Sequence, residues 1–518
     1  MKLKRTTIFV VSLLLFNWGK TSSSQHIAQE VLSQIYYSIG NFQTPLPTLE
    51  IVPTKEFMAA YHPTKNKILL EQQAYDVCQS FGKDSLNALA FLLAHELVHS
   101  YQKEGWASNF FSYDKHGDSS HHIEKSADVQ GALGARLAGF NNQNLLSPLI
   151  QRLYERYELI GVQMEGYPSM EERQSTTKEV SEMVENLWHI YQSGNYLSVL
   201  GRHQMAAECY RYILDFYVGK EIYNNLALQY AQVAMTFSGK KVDPYLFPFE
   251  LDTESRLRQT RSDALTPKER DIRRKLLNSS MAYFDLALQL DSKYFTAYIN
   301  KLAIKVQKGN YQEVIELYES KRLSKKLNQL GADAASSAQA RLVVGIAYAS
   351  SGQKEKANSI FEALKKHADI AIQKIARINQ SILAEKTLNG SYIEECAGLG
   401  VPAQPDGVSL FSVLNTPGDF LDPDRKIMHY WEAKPHSSIH VITNQKESFP
   451  FQRILSKKIK GPANVYVGGS LDRLLEQSEA KQYQIVAAGK HTFIHFPSCK
   501  LLFLVDKRRQ IIEWTKYF

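Results

Sequence analysis

The spacing of hydrophobic and polar positions changes several times along the chain, and each change marks a different kind of element. Short β-prone runs at Thr48–Val52 (TLEIV) and Asn66–Leu70 (NKILL) flank the turn-forming Tyr61-His62-Pro63-Thr64, the pattern of a small edge sheet. Two helical segments follow. The second, Ser85 to Gln102, sets Leu86, Leu89, Ala90, Leu93, Leu97 and Val98 at helical spacing behind Asp84 as an N-cap, which predicts an amphipathic helix. From Lys103 to His122 the periodicity stops, and Trp106, Phe110, Phe111 and Tyr113 alternate with Gly, Ser and Asp. That reads as a long loop whose aromatics suit a lid. Helix resumes from Ile123 to Leu137 and closes at Gly139 as a C-cap.

From about Met183 to Leu383 the pattern becomes paired amphipathic helices, with turns expected at Gly194-Asn195-Tyr196, Gly309-Asn310-Tyr311 and Gly352-Gln353. The clearest unit is Ala282 to Asp291 (AYFDLALQLD), followed by Ala297-Tyr298 in the next helix. A second runs from Gly345-Ile346-Ala347-Tyr348 through Gly352 to Ala357 and Phe361, and a third from Trp188 through Ala206 to Tyr210. These units resemble the tetratricopeptide repeat, in which small residues let two helices approach and aromatics fill the gap to the next pair. Lys240 to Asp271, rich in Pro and charge, reads as an insertion or exposed loop. Beyond Gly398 prolines open a β-prone segment with strands expected at Ser438–Thr443, Asn464–Val467, Thr492–Phe496, Leu501–Val505 and Ile511–Trp514. The last two flank Asp506 to Gln510 as a hairpin.

Composition narrows the class. The 518 residues are 44% hydrophobic and 22% charged, as in soluble globular proteins. The net charge of +8 includes Lys2, Lys4, Arg5 and Lys20, so the remainder is too weakly basic to argue for nucleic acid. The same N-terminal basic residues precede an apolar run from Ile8 to Phe16 and small Ser22, Ser23 and Ser24, the order of an export signal. The apolar run is far short of the roughly 20 residues a spanning helix needs, so no membrane span is expected once the signal is removed. The organisation expected is a signal peptide at 1–24, a catalytic domain at 25–180, helical repeats at 183–390 and a β-rich accessory domain at 398–518. Localisation is then periplasmic in a two-membrane cell and secreted otherwise. Cys78, Cys209, Cys396 and Cys499 lack CxxC spacing, which excludes a cysteine-ligated zinc module and leaves one unassigned pair open as a disulfide.

The chemistry lies in His95-Glu96-Leu97-Val98-His99. Two imidazoles four positions apart project from one helix face, where both can bind one zinc ion at about 2.1 Å. Glu96 sits about 100° round the helix, where a carboxylate can take a proton from water without occupying a coordination position. Downstream, Glu124-Lys125-Ser126-Ala127-Asp128 opens the next helix with both carboxylates on one face, while Ala127 and Gly131 permit close helix approach. Glu124 is then the third ligand, with Asp128 accepting the other ring N–H of a ligand histidine. The alternatives are a histidine ligand from the loop (His116, His121 or His122), or a solvated acidic face with no metal.

Together, His95 to His99, Glu124 to Gly131 and Ala138-Gly139-Phe140 resemble the M48-type zinc metallopeptidases of the gluzincin group, whose pattern is HExxH, then ExxAD with a following glycine, then AGY or AGF. Gly166-Tyr167-Pro168-Ser169-Met170-Glu171-Glu172-Arg173 resembles that family's later HPS…R segment. The resemblance, over about Ile51 to Arg173, implies a zincin-like α+β domain with one zinc per chain. Its ligands would be His95, His99 and Glu124, with Glu96 as catalytic base and Asp128 as a supporting carboxylate. Tyr167 replaces the family's histidine before Pro-Ser and is a candidate donor to an oxyanion. No histidine follows HExxH at Ser100 to Glu104, another departure.

The resulting expectation is a mainly α multidomain protein: a zincin-like domain, a tetratricopeptide-like solenoid and a β-rich C-terminal domain. It would be an exported zinc endopeptidase acting on a protein or peptide, with the Asn66–Leu70 strand aligning the substrate and the repeats docking a partner protein. The resemblance to periplasmic members of that family that combine these parts implies a role in protein quality control. Two other readings are a repeat scaffold or chaperone with an idle or structural zinc site, and a zinc hydrolase acting on a non-protein amide.

Overall fold

The computed structural model describes residues 23–102, 118–162, 169–237, 245–248 and 265–384. Towards the C-terminus it describes 412–416, 427–434, 437–443, 448–455, 457–459, 461, 464–477, 483–488, 491–497 and 499–517. Residues 1–22 of the expected signal (1–24), residues 103–117 of the expected loop (103–122) and Tyr167 lie outside these residues. What is described is mainly helical, with a small mixed sheet near the N-terminus and an antiparallel sheet at the C-terminus, the class expected from sequence. No described helix is long and apolar enough to cross a membrane. The chain divides into two compact units, the first being 1–189 with 213–220 and 289–292, and the second 190–212, 221–288 and 293–518.

The first unit begins with a helix over residues 23–39 (α1) and three strands, β1 (Thr48–Val52), β2 (Ala59–His62) and β3 (Lys67–Glu71). Their order is β1-β3-β2, with β3 parallel to β1 and antiparallel to β2. Tyr61 and His62, expected in a turn, belong to β2; the turn starts at Pro63 and closes at left-handed Asn66 (φ 44°). A second correction follows. The run at Asn66–Leu70 is the central strand, so its backbone is already paired on both sides and cannot align a substrate. At the β1 edge, side chains of α1 take the ladder positions. Ile51 N–H donates to Gln25 Oε1 (2.8 Å), Leu49 N–H donates to Gln29 Oε1 (3.1 Å), and the Gln25 amide donates to the Leu49 carbonyl. β2 is the other edge strand of this sheet.

Next come α2 (Gln72–Gln79), α3 (Ser85–Tyr101), α4 (Asp118–Leu137), α5 (Leu146–Arg156) and α6 (Met170–Val199). Every residue of α3 from Ala88 to Ser100 is buried, because β2, β3, α2, α4 and α5 pack around it. The expected amphipathic helix is therefore covered on all sides. Asp84 makes no cap bond either; α3 is entered through a 3₁₀ turn, and the Asp84 carboxylate accepts the Asn87 amide at 3.2 Å. Helix α4 starts at Asp118, five residues before the expected Ile123, and closes as expected at left-handed Gly139 (φ 101°).

The second unit holds the helical hairpins: most of α7 (His203–Leu214), α8 (Lys220–Thr236) and α9 (Pro267–Leu290), then α10 (Phe295–Gln307), α11 (Tyr311–Glu319), α12 (Arg322–Gln329), α13 (Ala334–Ser350), α14 (Lys354–Leu364) and α15 (Ile370–Leu383). The expected turn at Gly194-Asn195-Tyr196 is not one. Helix α6 runs through it to Val199, and the chain turns at left-handed Gly201 instead. Gly194 is small for packing, since a Cβ there would meet Cys209 and Tyr210 of α7 at 3.1 Å. A Cβ at Gly345 would likewise fall 2.7 Å from the Phe361 ring, which brings α13 and α14 together as their repeat-like spacing suggests. Within the expected exposed insertion, Leu246 and Phe247 are buried. The Leu246 N–H donates to Asn379 Oδ1 (2.6 Å), and the Asn379 amide donates back to the Leu246 carbonyl (2.8 Å).

The same unit carries an eight-stranded antiparallel sheet built from β4 (Ser412–Thr416), β5 (Ile427–Lys434), β6 (Ser437–Thr443), β7 (Ser448–Ile454), β8 (Gln484–Ala488), β9 (His491–Phe496), β10 (Leu501–Val505) and β11 (Ile511–Tyr517), in the order β4-β5-β6-β7-β11-β10-β9-β8. The expected β10–β11 hairpin forms. Asn464–Val467 is not a strand; it is part of the connection to α16 (Leu471–Gln477), whose Leu471 and Leu474 share a core with Phe496, Phe503 and Trp514. Cys78 and Cys209 are buried thiols outside any disulfide, whereas Cys499 is disulfide-bonded.

Candidate metal centre

His95, Glu96 and His99 lie on the helix that the first unit buries most completely, with exposures of 0%, 0% and 6%. Three ionisable side chains in an apolar helix cost several kcal/mol unless partners compensate each of them. For the two imidazoles the partners come from α4 and from Gln102, just past the end of α3. Glu124, Ala127, Asp128 and Gly131 form one face of α4 at i, i+3, i+4 and i+7 spacing, turned toward α3. Contact is direct at Gly131, where a Cβ would lie 2.8 Å from the His95 backbone nitrogen and 3.0 Å from the Ala94 carbonyl carbon. Only glycine lets α4 settle onto the α3 backbone there, which brings Glu124 within reach of both imidazoles.

The donor atoms converge. The Nε2 atoms of His95 and His99 are 3.1 Å apart, and the Glu124 oxygens lie 3.3 Å from the first and 3.6 Å from the second. Among the described residues this is the group of His, Cys, Asp and Glu side chains able to hold a metal ion. Ligands placed tetrahedrally at about 2.1 Å from a zinc ion are separated by about 3.4 Å, so the observed spacings fit a zinc-sized cation. The outer ring nitrogens are fixed as well. His95 Nδ1–H donates to Asp128 Oδ1 (2.9 Å), and His99 Nδ1–H donates to Gln102 Oε1 (2.7 Å). With the Nδ1 positions so engaged, both Nε2 atoms face Glu124.

Asp128 is itself held by Arg173, whose Nη1 donates to Oδ2 at 2.6 Å and Nη2 to Oδ1 at 3.1 Å, with the guanidinium side chain 3% exposed. Arg173 stands in the first turn of α6, which a capping box begins: Glu172 N–H donates to Ser169 Oγ (3.2 Å), and Ser169 N–H donates to the Glu172 carboxylate (2.8 Å). The electrostatics agree with the geometry. Burial alone would lower the His95 pKa, but Asp128 and Glu124 outweigh it and raise it to about 10. Burial would raise Glu124, yet the two imidazoles bring it down to about 2. Asp128 also falls well below the usual carboxylate range, because Arg173 and His95 outweigh its burial. Two ionised carboxylates beside two imidazoles make a group that could hold a cation.

The structure therefore brings together four of the six residues singled out from sequence, His95, His99, Glu124 and Asp128, and places Glu96 in the same buried helix. Tyr167 and His116 lie outside the described residues, as do the side chains of His121 and His122. Sequence reasoning missed what Gln102 and Arg173 do. The signal for Arg173 was present in Ser169-x-x-Glu172, which fixes a helix start and hence the turn on which Arg173 stands; Gln102, one turn after His99, carried none. The likeness to M48-type metallopeptidases rests on these motif residues alone: no protein-family model matches the chain, and no curated protein matches it in sequence.

Proposed function

We propose that this chain is an exported zinc-dependent endopeptidase. The observation that carries the reading is the convergence of His95, His99 and Glu124 from two helices, each imidazole anchored through its outer nitrogen. Two histidines and one carboxylate leave a fourth position open, the donor set of catalytic rather than structural zinc. A zinc ion held there supplies Lewis acidity toward a carbonyl oxygen and lowers the pKa of water. Glu96, next to His95 in the buried helix, accepts the proton of the attacking water and returns it to the leaving amine. Asp128 and Arg173 keep His95 in one tautomer and orientation throughout. Tyr167 donates to the developing oxyanion, a role that an unchanged turnover in Tyr167→Phe would discard. The edge strand β2 packs on α3, beside which an extended peptide would lie.

Export and partner docking belong to the same proposal. The Cys499 disulfide supports export, since such bonds persist in oxidising compartments. The close-packed hairpins α6–α7 and α13–α14 support repeats that dock a partner protein, with protein quality control outside the cytoplasm as the setting.

The test is metal analysis and casein cleavage by the purified mature chain beside Glu96→Gln. The expected result is one zinc per chain in both proteins, with turnover reduced about 10²- to 10⁴-fold in the variant. Zinc bound by a wild-type protein that cleaves no unfolded substrate would instead favour a scaffold with an idle site.

A further inference from the structure

Helix α12, within the hairpins of the second unit, carries cations that the fold does not pair. Lys321, Arg322 and Lys325 are exposed and Lys326 is half-buried, while Leu323 and Leu327 are buried and hold the helix in place. No acidic residue occurs between Ser320 and Ala332. Other cations of the same unit are matched: Lys301 with Asp285, Lys305 with Glu313, Lys356 with Glu319 (2.7 Å) and Lys365 with Glu362 (2.6 Å). Among the described residues, none of the four cations on α12 meets a carboxylate in this way. Arg322 Nε donates to the Ser320 hydroxyl (3.0 Å), and Lys326 Nζ lies 6.0 Å from the centre of the Tyr298 ring.

This arrangement is unfavourable for the helix that bears it. Arg322 stands three and four positions from Lys325 and Lys326, spacings at which like charges repel across one helix face. Lys321 and Arg322 also occupy the N-terminal end, where the helix dipole disfavours cations, and the first turn holds no acidic residue to offset them. Lys321 adopts a left-handed conformation (φ 59°) as well. Nothing within the fold compensates this repulsion, which an anionic partner would relieve. We propose that the basic face of α12 docks a short acidic segment of a partner protein. Its four cations span about 8 Å of helix, a length met by about three residues of an extended chain. Exposed carboxylates bound the patch, with Glu316 and Glu319 before it and Asp333 after it, so it suits a discrete acidic segment better than a broad anionic bilayer. Glu319 is itself engaged by Tyr348 and Lys356, and Asp333 accepts the Ser336 N–H, which leaves the α12 cations to the partner. The proposal deepens the docking role given above to the hairpins and rests on it, not on the peptidase chemistry.

The experiment uses the full mature chain. Binding of a fluorescein-labelled oligoglutamate peptide is followed by anisotropy, beside an oligoglutamine peptide of equal length and sedimentation with phosphatidylglycerol vesicles. Lys321, Arg322 and Lys325 are changed together to Glu, and a control changes Lys83, Lys268 and Lys374 to Glu, the same alteration of net charge at exposed sites elsewhere. Expected is oligoglutamate binding by wild type that the α12 variant weakens at least about tenfold and the control weakens less than about threefold. Binding should also weaken when salt rises from about 0.01 M to about 0.15 M, as the screening length falls from about 30 to about 8 Å. Arg322→Gln with Lys325→Gln, which only removes repulsion, should leave the Tm of the free protein equal to or above wild type and abolish the rise in Tm that the peptide causes. Equal weakening by the control, binding that survives reversal of α12, or a fall in the free-protein Tm of the Gln variant would overturn the proposal, as would vesicles bound through α12 while the peptide is not. Oligoglutamate retained after α12 reversal leaves the docking role to the rest of the hairpins, whereas a wild type that binds no oligoglutamate ends both.

Discussion

Asp128→Asn separates two jobs performed by one carboxylate. In the native protein it accepts the His95 Nδ1 proton at 2.9 Å and a two-pronged bond from Arg173 at 2.6 and 3.1 Å, all within a nearly water-free space. An asparagine of the same shape keeps one acceptor but loses the charge. For the metal, the loss is that of a supporting partner, about 10- to 100-fold in affinity or about 1.4–2.8 kcal/mol. For the fold, the loss is larger, because the buried Arg173 loses the carboxylate that faces it, and breaking such a pair costs about 3–5 kcal/mol. Zinc affinity is read by competition with a chromophoric chelator, and stability by urea unfolding of the metal-free protein. Arg173→Met is then added to Asp128→Asn. Removing the guanidinium should restore part of the stability and none of the zinc affinity, because His95 still lacks its ionised acceptor. Wild-type zinc affinity in Asp128→Asn would refute the reasoning, since His95 would then need no carboxylate to hold its tautomer.

Two further outcomes follow from the same packing. Gly131→Ala forces a methyl against the α3 backbone at 2.8 Å, so it should cost about 1–3 kcal/mol in urea unfolding and weaken zinc binding as Glu124 is pushed from the imidazoles. Wild-type behaviour in both measurements would mean the helices do not need that approach. In the metal-free protein, the raised His95 pKa contributes stability that is fully present below about 6.5 and lost as pH rises toward about 10. The lowered Glu124 pKa contributes stability that is present above about 4.5 and lost as pH falls toward about 2. A cation must displace the His95 proton, so calorimetric zinc affinity should climb with pH across roughly pH 6 to 9, and a flat profile would contradict it.

Much of the site could be read in the chain itself, because its spacing is local. Residues four apart on a helix share a face whatever surrounds them, so His95 with His99 and Glu124 with Asp128 were paired by helical geometry alone, and glycine at 131 already allowed for close approach. The β10–β11 hairpin and the glycine stop after α4 were local in the same sense, set by turn residues beside periodic runs. Other features depended on neighbours distant in sequence. Gly194 looked like a turn, but its lack of a side chain serves the contact with Cys209 and Tyr210, so α6 continues through it. Asn66–Leu70 looked like an edge, yet β1 and β2 take both its sides.

What the sequence by itself determined is which side chains share a face: two imidazoles on one helix turn, two carboxylates on another, small residues between. Only the tertiary structure decided that these faces meet, with donor atoms 3.1–3.6 Å apart, that Arg173 and Gln102 complete their surroundings, and that β2 rather than β3 lies at the sheet edge. The reason is physical. Periodicity follows from backbone geometry within a few residues, whereas the approach of two helices and the sharing of a sheet edge depend on packing between segments that sequence separation does not order.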